Sequence, residues 1–113
     1  MTAALDPGQN FGDLTHALRG NDLLVNAADH APQMVVPRHV HENAYLCVVV
    51  AGRFELRHDG ARADDCGAGA VVAYPAGGPH ENRFGDAPGR CVNIHFGASW
   101  TDDAAVRLSL IHI

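Results

Sequence analysis

Eight short apolar runs succeed one another between Asp22 and Phe96, each ended by turn-forming residues, and no other feature constrains the fold as tightly. The runs are Asp22–Ala28, Gln33–His41, Ala44–Ala51, Arg53–His58, Arg62–Cys66, Ala70–Tyr74, Pro79–Phe84 and Arg90–Phe96. Runs this short and this regular are the signature of an all-β sandwich or barrel. They leave no room for crossover helices, so the strands must pair mostly antiparallel. Asp59-Gly60 suits a tight hairpin turn, because Gly tolerates positive φ. Gly67-Ala68-Gly69 and Pro75-Ala76-Gly77-Gly78-Pro79 are further breaks, and Gly85-Asp86-Ala87-Pro88-Gly89 reads as another hairpin.

The chain's 113 residues amount to one domain. Residues 1-20 read as an irregular lead-in with Gly8, Gly12 and Gly20, residues 21-97 as the barrel, and residues 98-113 as a helical tail. In the tail Thr101 or Asp102 suits an N-cap, and Ala104 to Ile111 continue as a short helix. Its apolar residues Leu108, Leu110, Ile111 and Ile113 must pack on the barrel or on a partner. The N-terminus has neither the positive nor the apolar region of a signal peptide, and the longest apolar run, Ala44–Ala51, is too short to span a membrane. Cys47, Cys66 and Cys91 are an odd, widely spaced set without a CxxC pair, so three buried thiols in a reducing cytoplasm are expected. A net charge of -5, with no Lys and no Arg cluster, argues against nucleic-acid binding by this chain.

His39-Val40-His41 is an i, i+2 pair, and on a strand both imidazoles point to one face. Alone, such a pair is more simply two solvated histidines. A second array, Gly69, Pro75, Gly77 and His80, is far more specific: a strand enters a tight turn and delivers one His to the start of the next strand. Strand alternation from Tyr45 turns Cys47, Val49 and Ala51 inward with it, and Leu46, Val48 and Val50 outward. A strand apolar on both faces is covered on both, so the outer face is expected to lie under a second subunit or under the lead-in and tail. Tyr45 and Cys47 are candidate ligand contacts. Glu81 and Arg83 flank the cavity mouth; a solvated strand face is the plainer reading of both, and Arg83 is the candidate contact to an anionic or polar ligand. His95 is expected to be an ordinary surface residue, while His16, His30, His58 and His112 have no partner pattern.

From these blocks, over about residues 30 to 97, the sequence resembles the cupin superfamily. In that family an HxH pair is followed by Glu, six residues and Gly, and a second motif runs Gly, Pro, Gly, His, Asn. Here Tyr45 stands at the Glu position, Phe84 at the Asn position, and Gln33 where a Gly commonly precedes the pair. The resemblance implies an all-β double-stranded β-helix, or jelly-roll barrel, with a short C-terminal helix. It also implies His39, His41 and His80 as ligands of one divalent ion, with neutral imidazoles suiting Zn, Fe, Ni or Cu and water at the fourth position. A metal-free cavity whose histidines bind an organic ligand is the rival reading.

Pro37 to Cys47, Pro75 to Phe84 and Arg90 to Ile94 are closer still to the N-terminal sensor domains of AraC-family transcription regulators, in which the Glu is often absent. That resemblance implies a small-molecule or metal-binding sensor and dimerisation module, a cytoplasmic homodimer, without the DNA-binding part. The alternative is a small metal-dependent enzyme of dioxygenase or isomerase type. Against it, Glu42 and Glu81 each follow an inward His, so alternation aims them away from the cavity.

Overall fold

In a computed structural model, residues 3–5, 11–58, 63–101 and 111–112 are described. Eleven strands and one helical turn follow in the order β1 (Ala3–Leu5), β2 (Asp13–Gly20), β3 (Leu23–His30), β4 (Val35–His41), β5 (Tyr45–Ala51), β6 (Arg53–Arg57), β7 (Ala63–Gly67), β8 (Val71–Tyr74), β9 (His80–Phe84), β10 (Gly89–Phe96), α1 (Ala98–Thr101) and β11 (Ile111–His112). All eight apolar runs become strands, β3 to β10. They build two facing sheets, of order β1-β4-β9-β6-β7 and β11-β8-β5-β10-β3-β2. The chain mostly passes from one sheet to the other, so two-fold alternation buries one side of each strand in a shared core. Pairing is antiparallel except between β1 and β4.

Three expectations are corrected. The stretch Gly85–Gly89 is no hairpin: β9 pairs with β4 and β6, whereas β10 pairs with β3 and β5, so the loop crosses between sheets. The lead-in is not irregular throughout, since Asp13–Gly20 forms β2 along the edge beside β3. Its run is exposed throughout, Leu14 and Leu18 included, and its apolar residues do not alternate as those of a core strand do. Asn21 and Asp22 join β2 to β3 with φ of 52° and 56°, the left-handed pair that a two-residue hairpin turn requires. Ala51 is exposed rather than inward. A bulge between Arg90 and Cys91 makes Ala51 pair with Arg90 while Val49 pairs with Cys91, and the alternation breaks there. The Asp59-Gly60 turn and almost all of the expected helix Ala104–Ile111 lie outside the described residues; Ile111 itself pairs with Ala73 as strand. The described helical turn starts earlier, at Ala98. Asp22 accepts from both the amide (2.8 Å) and the hydroxyl (2.6 Å) of Ser99, and Trp100 Nε1 donates to the Asn21 carbonyl at 2.7 Å.

The core gathers Val36, Val49, Phe54, Leu56, Val72 and Phe84 with Tyr45, Tyr74 and the three cysteines. Gly52, at φ 74°, lets the chain leave β5 for β6 pressed against Pro88, where a Cβ would lie 2.6 Å from the Pro88 carbonyl oxygen. Leu56 is fully enclosed. Leu56→Ala is expected to cost about 2–5 kcal/mol through lost transfer energy and a residual cavity. Urea denaturation should show a lower midpoint, and a change under about 1 kcal/mol would mean that the site collapses or is not core.

Candidate functional site

The proline in β4 decides which way the histidines point. Val36 is buried and pairs with Asn82, and His39 pairs with His80, so Pro37 and Arg38 oppose the single residue Glu81. This bulge shifts the phase of the strand. Without it, alternation from Val36 would turn Arg38 and Val40 inward and both histidines out. Pro37 has no amide to give the ladder, which makes the break cheap at that residue. Gly77, at φ 73°, supplies the other half: its amide donates to the His41 carbonyl at 2.9 Å and ties the turn before β9 to the end of β4.

The result is a cluster in which ring nitrogens of His39, His41 and His80 lie within 4.8 Å of one another, all three side chains buried. The His39 ring centroid is 4.3 Å from that of His80 and 5.1 Å from that of His41. Nδ1 of His39 donates to the Pro37 carbonyl at 2.7 Å, and Nδ1 of His80 to the Gly78 carbonyl at 3.0 Å. Both rings are thereby fixed as the tautomer with the lone pair on Nε2, the arrangement that suits a metal-binding or proton-accepting imidazole. The Tyr45 hydroxyl lies 3.3 Å from His80 Nε2 and can only be the donor to it. His41 Nδ1 is buried with no hydrogen-bond partner.

Burial keeps these imidazoles neutral. Desolvation lowers His39, against the Pro37 bond, and pushes His80 down to about 4; for His41 desolvation, followed by its histidine neighbours, lowers it to about 3. Desolvation first, then Tyr74, raises the Tyr45 phenol well above its ordinary range. Tyr45 therefore serves as a proton-bearing donor at the position where a carboxylate would be anionic. Phe11 caps His39 edge-on, and Tyr74 packs on His80 with centroids 4.2 Å apart.

Of the sequence candidates, Tyr45 and Cys47 line the same cavity as His39 and His41, which offers about 30 Å³ to water-sized occupants. That is room for an ion with a little water, or for a very small molecule. Arg83 does not reach it. It is exposed on the outer face of β9, where it lines a groove with Arg53, Glu55 and Asp65, because Phe84 takes the inward position beside it. Glu42 is exposed and Glu81 half-buried, in keeping with their alternation.

His95 is the residue that sequence reasoning misplaced. It is buried on the inner face of β10, stacked on Tyr45 at 4.8 Å, and burial lowers it to about 4. Asn43 Nδ2 donates to its Nδ1 at 3.0 Å, so Nε2 carries the proton, and that atom is buried without a partner. The signal was present in the alternation of Cys91, Asn93 and His95, but only the pairing of Asn93 with Cys47 and of His95 with Tyr45 says which face is inner. His30 was passed over too. It is buried against Phe84, rings stacked at 4.2 Å.

Residues 24–112 match the AraC-like ligand binding domain family. No curated protein matches the sequence. Among solved structures, DMSP lyase DddQ from Ruegeria pomeroyi DSS-3 is similar, with TM-score 0.64, 21% identity, and 83% of this chain covering 43% of that one. KdgF from Halomonas sp. has TM-score 0.64 and 18% identity, covering 71% of this chain and 74% of its own. A cupin-2 domain protein from Shewanella frigidimarina NCIMB 400 has TM-score 0.60 and 15% identity, with coverage of 70% and 74%. The chain thus spans less than half the length of the lyase. At such identities the likeness is one of fold, and the fold is the cupin jelly roll.

Proposed function

We propose, from the premise that this chain belongs to the AraC-like ligand binding domain family, that its barrel is a sensor cavity built around a three-histidine metal site. One observation carries the reading: three buried, neutral imidazoles converge within 4.8 Å, two of them with Nδ1 tied back to backbone carbonyls. His39 and His80 would offer Nε2, His80 giving up its bond from Tyr45, and His41 would complete the set, its Nδ1 marking a polar atom that no described residue satisfies. Such a donor set fits Zn, Fe, Ni or Cu. When bound, the ion supplies a positive charge and open positions for an anionic or lone-pair ligand. The residues around it do the rest. Tyr45 holds a proton close to His80, Phe11 and Tyr74 exclude water, and the small cavity restricts what can enter.

Binding is preferred to turnover because the family is a ligand-binding one and the described lining of the cavity holds no carboxylate to work beside Tyr45, as an enzyme of dioxygenase or isomerase type would want. The same reading takes the molecule as a cytoplasmic homodimer in transcription regulation. Its support is the outer face of the six-stranded sheet, where Leu46, Val48, Val92 and Ile94 are only half-buried and Val50 is 51% exposed. Among the described residues no helix is long and apolar enough to cross a membrane. Elemental analysis of protein purified without a tag or chelator should return close to one equivalent of a transition metal. Metal-free protein that also fails to take up added Zn, Fe, Ni or Cu would defeat the metal site and leave the metal-free cavity.

A further inference from the structure

A second group of reactive side chains lines the same cavity as the three-histidine cluster. Cys47 on β5 and Cys91 on β10 both face inward and share the cavity wall with His30 and Phe84. The register pairs Cys91 with Val49 and Asn93 with Cys47, so the two cysteines are diagonal neighbours on one face, at the bulge between Arg90 and Cys91. The two thiols act on one another electrostatically, and the His30 imidazole acts on Cys91. His30 is itself buried, held between Phe84 and the backbone at Gly12, where a Cβ would lie 2.6 Å from its ring, and its Nδ1 has no hydrogen-bond partner. Neither thiol nor His30 is in the three-histidine cluster, and a purely apolar core would not need them.

We propose that Cys91 is an oxidation site: a hydroperoxide small enough to enter the barrel converts it to a sulfenic acid, which then condenses with Cys47. The room of about 30 Å³ selects the reagent, since hydrogen peroxide is close to water in size and bulkier oxidants are not. In the first step the Cys91 sulfur attacks one peroxide oxygen, the S–O bond forms and the O–O bond breaks, and the hydroxide that leaves becomes water on taking a proton. In the second, Cys47 loses its proton, its sulfur displaces hydroxide from Cys91, and a second water leaves. The sum is two thiols oxidised to one disulfide and one peroxide reduced to two waters.

The electrostatics divide the pair in the required sense. Interaction with Cys47, ahead of that with His30, draws the Cys91 thiol below its ordinary range against desolvation, while interaction with Cys91 and burial raise Cys47. Cys91 is thus the nucleophile and Cys47 the proton-bearing partner. Diagonal neighbours stand on the order of 7 Å apart, at the limit of disulfide reach, and the bulge supplies the slack to close it. Cys66 is a built-in control. It is fully buried, bonds to the Asp64 carbonyl, and desolvation followed by Asp64 and Asp65 pushes it up to about 12.

The test is treatment of the reduced full-length chain with hydrogen peroxide in the presence of a chelator, followed by thiol blocking in denaturant and peptide mass mapping. The expected product has lost two hydrogens, carries a Cys47–Cys91 link, and leaves Cys66 free to be blocked. C47A should stop at a sulfenic acid that dimedone traps on Cys91, and C91A should give neither product. The unmodified chain decides the matter even where a variant folds poorly. Cys91 left unoxidised while Cys66 reacts, or a rate that is the same in urea as in buffer, would overturn the proposal.

Discussion

Replacing His80 with alanine is expected to abolish metal retention while leaving the barrel folded. His39 and His41 come from one strand, and only His80, delivered by the turn at Gly77, closes the cluster from a second strand. Loss of a partner outside the coordination shell already lowers metal affinity about 10–100-fold, so loss of a ligand should exceed about 100-fold. The fold should survive, since the substitution removes a desolvated imidazole along with its bonds. It leaves the Gly78 carbonyl and the Tyr45 hydroxyl unpaired, at roughly 1–3 kcal/mol. Competition against a chromophoric chelator measures the first effect and urea denaturation the second. A His80→Ala protein that retains its metal as tightly as the parent would remove His80 from the site.

Acid should unfold this protein early. His41 is held at about 3, and His80 and His95 at about 4, chiefly by burial, while all three titrate near 6.5 once unfolded. The sign follows directly. Above 6.5 both states are neutral at these rings and the stability is complete. Below 6.5 the unfolded chain binds protons that the folded barrel refuses, so stability falls with pH until the folded rings titrate, near 4 and then 3. Each ring contributes about 1.4 kcal/mol per pH unit in that window, and three together about 4 kcal/mol. Against a total of about 5–15 kcal/mol, two pH units consume most of the margin. Cooperative unfolding above pH 4 is therefore expected, visible in Trp100 fluorescence and in urea midpoints. A midpoint that stays level from pH 6.5 to 4.5 would contradict the buried, neutral state of these rings. Bound metal should shift the transition to lower pH, because it competes with protons for the same nitrogens.

Much of this architecture was legible in the chain. The apolar runs became β3 to β10 nearly residue for residue, because turn chemistry and two-fold alternation are local properties. His39, His41 and His80 were legible because spacing within a strand and a turn motif bring them together. The rest depends on partners. The bulge at Pro37 and Arg38, without which the histidines would face solvent, exists only in the pairing with β9. The inward turn of His95 is set by its neighbours on β3 and β5, and the exposure of Arg83 by the inward seat of Phe84. Gln33 shows the limit from the other side. It stands where the resemblance expects a glycine and has φ 64°, a left-handed torsion that glycine adopts most readily, held by its amide bond to the Gly85 carbonyl at 2.8 Å and by its side chain on Asp86.

All three clustered imidazoles hang from β4 and β9 in one sheet, whereas Tyr45, Tyr74 and His95, which close the space around them, belong to the other. An occupant therefore bridges two layers rather than resting on one, touching imidazoles from the first sheet and phenols from the second. Whatever sets the spacing of the sheets also sets the width of the site, so a packing change in the core between them, far from any bound atom, would alter what the cavity admits.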